Sequence, residues 1–311
     1  MNNPPLRDEF ALIEWIKQRQ SADPRVLLGI GDDAAVIDVG SSCHTVVTTD
    51  MLMEGTDFMF PPATPYLAGR KSLAVNLSDL AAMGAIPVAA FISVSLPRRG
   101  LKWSQEFFQG IFDLAREFDV ALPGGDTNSW DGPLVVNITA LGTPGPRVPI
   151  TRSGAQPGDW IFATGEFGGS IAGHHLTFTP RVREALQLSQ HVDVHAMIDV
   201  SDGLAADLRH ILEASHVGAI VDAPSIPIRE SARELSLTDG KSPLEHALGD
   251  GEDFELIFCV SPQDGMRLRD QPLADVRYTH IGMITEAKDF LLKDEGGGLS
   301  PMPDVGWVHR M

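Results

Sequence analysis

Hydrophobic and polar positions change period repeatedly along this chain. Over residues 8–20, Phe10, Ile13 and Ile16 recur at helical spacing behind an acidic first turn that suits the helix dipole. A Gly-rich loop follows at 28–33, and then two strand-like apolar runs at 34–39 and 45–49, with Asp50 where the second run stops. Residues 64–83 read as a helix. At about 100° per residue, Leu67, Leu73, Ala74, Leu77, Leu80 and Ala81 fall in one apolar arc. Ser72, Asn76 and Asp79 share the opposite side. A strand at 88–95, a helix at 103–118, a short strand into Gly124-Gly125-Asp126 and a strand at 134–141 complete the first half.

A Pro/Gly-rich stretch at 142–158 marks a boundary. Beyond it come a strand at 160–164, a Gly-rich loop at 165–170 and a strand into Asp199. A helix at 204–215 and strands at 219–221, 254–260 and 279–284 follow, and the chain closes on a polar, Gly-rich tail. The pattern predicts an α/β (α+β) fold in two domains, 1–145 and 146–311. The apolar run at 74–96 contains Asn76, Asp79, Gly84 and Pro87, so it reads as helix, break and buried strand, and no membrane partner is expected.

Composition narrows the partners. The formal charge of −18 opposes a polyphosphate backbone, so nucleic acid is not an expected partner. Cys43 and Cys259 cannot staple 311 residues, and the first ten residues lack the basic and apolar regions of a leader. A reducing, cytoplasmic location is the expectation. His174 and His175 are adjacent, not helically spaced, which argues against a zinc pair. No P-loop and no protein-kinase motif set occurs, nor a plausible nucleophile elbow with its triad.

The candidate chemistry lies in aspartates that share one context, each after an apolar run and beside Gly, Ser or Thr. They are Asp32 and Asp33 in Gly-Ile-Gly-Asp-Asp, Asp50 in Thr-Thr-Asp, Asp79 in Asn-Leu-Ser-Asp, Asp126 in Gly-Gly-Asp-Thr, and Asp199 and Asp202 in Ile-Asp-Val-Ser-Asp-Gly. Singly, such sequences are ordinary turns or, for Asp79, a solvated helix face. As a set without neighbouring Lys or Arg, they suit a hard divalent cation, and Mg²⁺ takes a few carboxylates together with water and substrate phosphate. The loops at 29–31 and 165–169 offer backbone N–H groups for phosphate oxygens.

These segments, with Thr-Arg-Ser-Gly-Ala-Gln-Pro-Gly-Asp at 151–159 and Gly-Glu-Asp-Phe-Glu-Leu at 251–256, resemble the thiamine-monophosphate kinases. That family lies within the superfamily of aminoimidazole ribonucleotide synthetase and selenophosphate synthetase. The resemblance implies a homodimer whose N-terminal sheets close into a barrel, and a C-terminal α/β domain. It implies Mg²⁺-assisted transfer of the ATP γ-phosphate to thiamine monophosphate, giving thiamine diphosphate. Carried over position by position, it assigns Asp33, Thr48, Thr49, Asp50, Asp79, Asp126, Asp199 and Asp202 to magnesium. Gly125, Asp126, Arg152 and Ser201 fall to ATP, and Asp57, Glu252 and Trp307 to the thiamine substrate. Asp50, Asp126 and Arg152 would carry the chemistry.

The chain departs from the family's pattern on the acceptor side. Asp57 stands where the family typically has His, the segment at 170–180 is shortened, and Asp250 replaces a small residue. Two other readings follow: an ATP-dependent synthetase or kinase for another small acceptor, and a nucleotide-binding paralogue without turnover.

Overall fold

The structure, a computed structural model, describes residues 23–40, 44–273 and 277–307, together with Ile13, Glu14, Lys17 and Gln18. Most of the helix expected at 8–20 lies outside the described residues, as does Cys43. Ile13, Glu14 and Lys17 are helical.

The first half holds β1 (Val26–Leu28), β2 (Ala35–Asp38), β3 (His44–Met53), α1 (Pro65–Ala82), β4 (Ala85–Pro97), α2 (Ser104–Glu117), β5 (Ala121–Trp130) and β6 (Val135–Pro144). Their strands form a six-stranded sheet in the order β1-β2-β3-β6-β4-β5, antiparallel except for the parallel β4–β5 pair. The second half holds β7 (Trp160–Thr164), α3 (His174–Thr177), α4 (Val182–His191), β8 (Val194–Asp199), α5 (Leu204–Ser215) and β9 (Gly218–Asp222). It continues with α6 (Glu230–Asp239), α7 (Pro243–Gly249), β10 (Leu256–Val260), α8 (Pro262–Asp270), β11 (Tyr278–Thr285), β12 (Phe290–Lys293) and β13 (Leu299–Pro301). Its seven-stranded sheet runs β13-β12-β9-β11-β7-β10-β8, with β12 parallel to β9.

Helix α1 is the hub. It packs on β3, β6 and β4 of the first sheet, and also against α2, α3, α4 and β8. The polar side expected for it is therefore not solvated: Ser72 and Asn76 are fully buried. Both donate back one turn, Ser72 Oγ to Ala68 O at 2.7 Å and Asn76 Nδ2 to Ser72 O at 3.1 Å, while Asn76 Oδ1 is buried without a partner. Close approach to α2 rests on two glycines. A Cβ on Gly69 would stand 1.9 Å from Phe107 O, and one on Gly110 would stand 2.0 Å from Tyr66 O.

One apolar cluster crosses the two halves, joining Leu73 and Leu77 of α1 to Phe162, Met197 and Phe258 of the second sheet. Pleating sends the alternate residues Ile161, Ala163, Ile257 and Cys259 to a second cluster under α5, with Leu208 and Ile211. Hence β10 is buried at all five positions and reads as a continuous apolar run.

Several boundaries differ from the sequence expectation. Strand β3 does not stop at Asp50, which pairs with Ile138 inside it. Strand β5 continues past Gly124 to Trp130, and the tail is partly the β12–β13 hairpin. Helices α3, α4, α6, α7 and α8 were not expected, being ten residues long or fewer. The described helices include none long and apolar enough to cross a membrane.

Candidate active site

Four aspartates from four elements converge around the C-terminal half of α1. Alternation along β3 turns Thr48 and Asp50 toward the helix and Thr49 away from it. The Thr48 hydroxyl donates to Asp79 Oδ2, and Asp50 is within hydrogen-bond reach of Asp79. Thr49 Oγ1 instead lies 3.0 Å from Thr139 Oγ1 on the outer face of the sheet. Asp33 sits in the β1–β2 loop, and Asp199 closes β8, where Ser78 Oγ donates to its Oδ2 at 2.5 Å. Carboxylate oxygens of Asp33, Asp79 and Asp199 all lie within 4.8 Å of one another.

Arg152 meets this group. Its Nη2 and Nε donate to Asp33 Oδ1 at 2.6 and 3.2 Å, and its backbone N–H donates to Asp32 Oδ1 at 3.1 Å. Asp32 thus anchors the arginine that balances Asp33, a part that the sequence assignment did not give it. Burial disfavours the Arg152 charge, but Asp33, Asp32 and Asp199 outweigh burial and hold the guanidinium above its usual pKa.

One guanidinium does not balance four carboxyls. Burial, with Asp33 as the next cause, pushes Asp199 up to about 7. Burial raises Asp50 to about 6, opposed by its hydrogen bond to Asp79 and reinforced by Asp57 and Asp33. Asp79 is raised well above the carboxylate range by burial and by Asp50, Asp199 and Asp33. Asp33 Oδ2 and Asp50 Oδ2 are buried without a hydrogen-bond partner. Clustered oxygens with unused lone pairs in a like-charge site fit a hard divalent cation.

The remaining assigned residues lie around this centre at different distances. Ser201 and Asp202 follow Asp199, and Ser201 O accepts from Glu252 N at 2.7 Å. Asp202, Asp207 and His210 bring ligand atoms within 4.8 Å of one another. Within that trio, Asp207 Oδ2 accepts from the backbone of Asp202 and Gly203 at 2.9 and 3.0 Å and so shapes the loop before α5. Trp307 N donates to Asp202 O at 2.9 Å, leaving the residue about half exposed at 51%.

Asp57 is not free to face a ligand with both oxygens, because Oδ2 accepts from Met53 N at 2.7 Å and closes a turn. Gly125 and Asp126 stand apart from the cluster on the edge strand β5. In register, Asp50 pairs with Ile138, Ile138 with Ile92 and Ile92 with Gly125. Three strand spacings of about 4.8 Å place Gly125 roughly 14 Å from Asp50 along the sheet. Gly125 admits the close β4 pairing, since a Cβ there would stand 1.8 Å from Ile92 O. Asp126 is exposed.

The carboxyls thus cluster beside Arg152, between two sheets that share one central helix. Residues 31–143 match the family described as AIR synthase related protein, N-terminal domain, and residues 156–294 match its C-terminal domain. A protein of Rhodopirellula baltica named thiamine-monophosphate kinase is 43% identical over 264 residues, covering 82% of this chain and 83% of the relative. The Escherichia coli K12 protein of the same name is 36% identical over 301 residues, covering 89% and 90%. A solved structure described as AaThiL complexed with AMPPCP and TMP superposes with a TM-score of 0.83, at 26% identity and with 97% of each chain covered. The chain belongs to the thiamine-monophosphate kinases of the AIR synthase related family.

Proposed function

We propose that the chain transfers the γ-phosphoryl group of ATP to the phosphate of thiamine monophosphate, giving thiamine diphosphate and ADP. The observation that carries this reading is the group Asp33, Asp50, Asp79 and Asp199, two of them buried and two half-buried, with Arg152 at its edge. Relatives bearing the kinase name across most of the chain, and a structural neighbour described with the ATP analogue AMPPCP and TMP, support the substrates.

In the reaction, an oxygen of the acceptor phosphate forms a bond to the γ-phosphorus and the bond to the β-phosphate bridge oxygen breaks. The electron pair leaves with ADP, and no protein nucleophile is needed. The barrier is repulsion between two anions and their alignment. Asp33, Asp50, Asp79 and Asp199, with Thr48 orienting Asp79 and Ser78 orienting Asp199, would hold Mg²⁺. Bound there, the cation supplies charge neutralisation between the phosphates. Arg152 places a fixed positive charge at the same edge.

The finer assignments belong to this same reading. Asp202 extends the magnesium set beside Asp199, whereas Thr49 and Asp126 form a separate part of it on the outer face and edge strand of the first sheet, and Gly125, Asp126, Arg152 and Ser201 contact the nucleotide. Asp57, Glu252 and Trp307 form the acceptor side. Residues 1–145 form the nucleotide, metal and dimerisation domain and 146–311 the second α/β domain. The working enzyme is a cytoplasmic homodimer with a barrel across its interface.

The test is ADP release by purified protein with Mg²⁺ and ATP across a panel of phosphorylated acceptors. Turnover dependent on thiamine monophosphate is expected. Turnover with a different acceptor only, or none with any, overturns the reading.

A further inference from the structure

Lys71 has no part in the assignments above, yet its side chain is 1% exposed in the middle of α1. Burying an ammonium is costly without partners. Here Nζ donates to two: Asp57 O at 2.7 Å and Glu252 Oε1. These are two of the three acceptor-side residues of the proposed function, one in the first half of the chain and one in the second.

Each partner is held from its other side as well. The Asp57 carboxylate closes its own turn onto Met53 N. Glu252 sits in a left-handed conformation, φ 54°, with its N–H donating to Ser201 O at 2.7 Å. A non-glycine residue in that region is strained and needs its surroundings to hold it there. Gly251 O is fixed by the Ser170 hydroxyl at 2.6 Å. The Glu252 side chain stays 33% exposed, so the carboxylate that Lys71 orients remains open to a ligand.

Asp79 lies eight residues beyond Lys71 on the same helix, about 12 Å along the axis at about 1.5 Å per residue. One rigid element therefore carries both the anchor of the acceptor side and a carboxylate of the acidic centre. We infer that Lys71 is a positioning residue for the acceptor: it fixes Glu252 and the Asp57 turn at a set distance from the phosphoryl-transfer centre. The inference rests on the proposed acceptor reading.

Lys71 neutralises Glu252 from behind, so that the carboxylate accepts a hydrogen bond from a donor on the acceptor without relying on solvent for charge balance. Truncating the lysine leaves Glu252 and the turn without their common tie, and displacements of about 1 Å at a reacting centre cost rate steeply.

The experiment is steady-state kinetics of the full-length protein with Mg-ATP and thiamine monophosphate, for wild type, Lys71→Met, Lys71→Arg, Glu252→Gln and the Lys71→Met/Glu252→Gln double variant. Lys71→Met is expected to raise the KM for thiamine monophosphate by about tenfold or more and to leave the KM for ATP within about twofold. The double variant is expected to be no worse than the poorer single, because the pair acts as a unit. If Lys71→Met does not fold, Lys71→Arg judges the inference. It keeps the charge but not the geometry, and an acceptor KM that rises with the ATP KM unmoved supports the assignment. An unchanged acceptor KM in a folded variant, or equal shifts in both constants, overturns it. Wild type inert toward thiamine monophosphate overturns the acceptor reading itself, an outcome distinct from an active wild type whose Lys71 variants are normal.

Discussion

Asp50 and Asp79 show how a single carboxylate can be costly to the fold and necessary to the chemistry. Burial and like charges raise both above the usual carboxylate range. Asp50→Asn removes one of those charges, so the metal-free protein is expected to melt no lower than wild type. Its turnover should nevertheless drop about 10²- to 10³-fold, as for other single electrostatic groups in active sites. Melting curves with and without Mg²⁺ alongside kcat check both halves, and wild-type turnover at modest Mg²⁺ counts against the assignment. A second residue-scale expectation concerns His174. Burial, then Arg229, lowers its pKa to about 4, and its Nε2 lies 3.0 Å from Asp253 O. A base whose folded pKa is depressed contributes stability that is full above its unfolded value near 6.5 and is lost as pH falls through the folded value. The contribution of His174 should therefore be lost between about pH 6.5 and 4, at up to about 1.4 kcal/mol per pH unit, against the opposite trend from carboxyls whose folded pKa is raised, such as Asp199 and Asp50. Stability against pH in urea titrations should differ between His174→Gln and wild type over that window, the variant gaining relative to wild type as pH falls. Equal slopes in the two proteins would remove His174 from the account.

Elements differ in how much of themselves the sequence displays. The aspartates at the end of β8 and in the β1–β2 loop were legible only as members of a set, because singly each reads as an ordinary turn and it is their recurrence after apolar runs, without neighbouring Lys or Arg, that sets them apart. Helix α1 was legible as a helix but not as a buried one. The donors of Ser72 and Asn76 turn back onto carbonyls of the helix itself, and Lys71 is held by a carbonyl and a carboxylate from tertiary neighbours that no local pattern reports. Helix α7 did carry a readable start, Ser242 with Glu245 three residues on, and the capping box is formed with Glu245 N donating to Ser242 Oγ at 3.2 Å. The outer strands β12 and β13 lack alternation and have little buried surface to impose it. The α1–α2 crossing gives an element-scale prediction. Gly110→Ala places a methyl where Tyr66 O now lies 2.0 Å away, so the helices must separate. A loss of about 1–3 kcal/mol is expected from overpacking, measured by chemical denaturation. A loss within about 0.5 kcal/mol would show that the crossing is looser than the backbone contact implies.

At the scale of the whole molecule, the first sheet presents an outer face with exposed apolar side chains among the described residues. Met51, Val88 and Phe91 are 61%, 45% and 43% exposed. The edge strand β5 beside them is open along nearly all of its ten residues and carries Gly125 and Asp126. Exposed apolar patches and unpaired edges of this kind are liabilities unless another chain covers them. The proposed homodimer covers this face with a second copy, and in a two-fold arrangement each substitution enters the interface twice. Phe91→Glu lies on the outer face, away from the carboxyls that turn toward α1, so it should leave the fold of the single chain intact. Light scattering should then report the mass of one chain where wild type gives two, and turnover should fall with it because Asp126 sits on the adjoining strand. A dimeric Phe91→Glu, or a wild type that is monomeric and fully active, would mean that this face serves another purpose and that one chain completes the site alone.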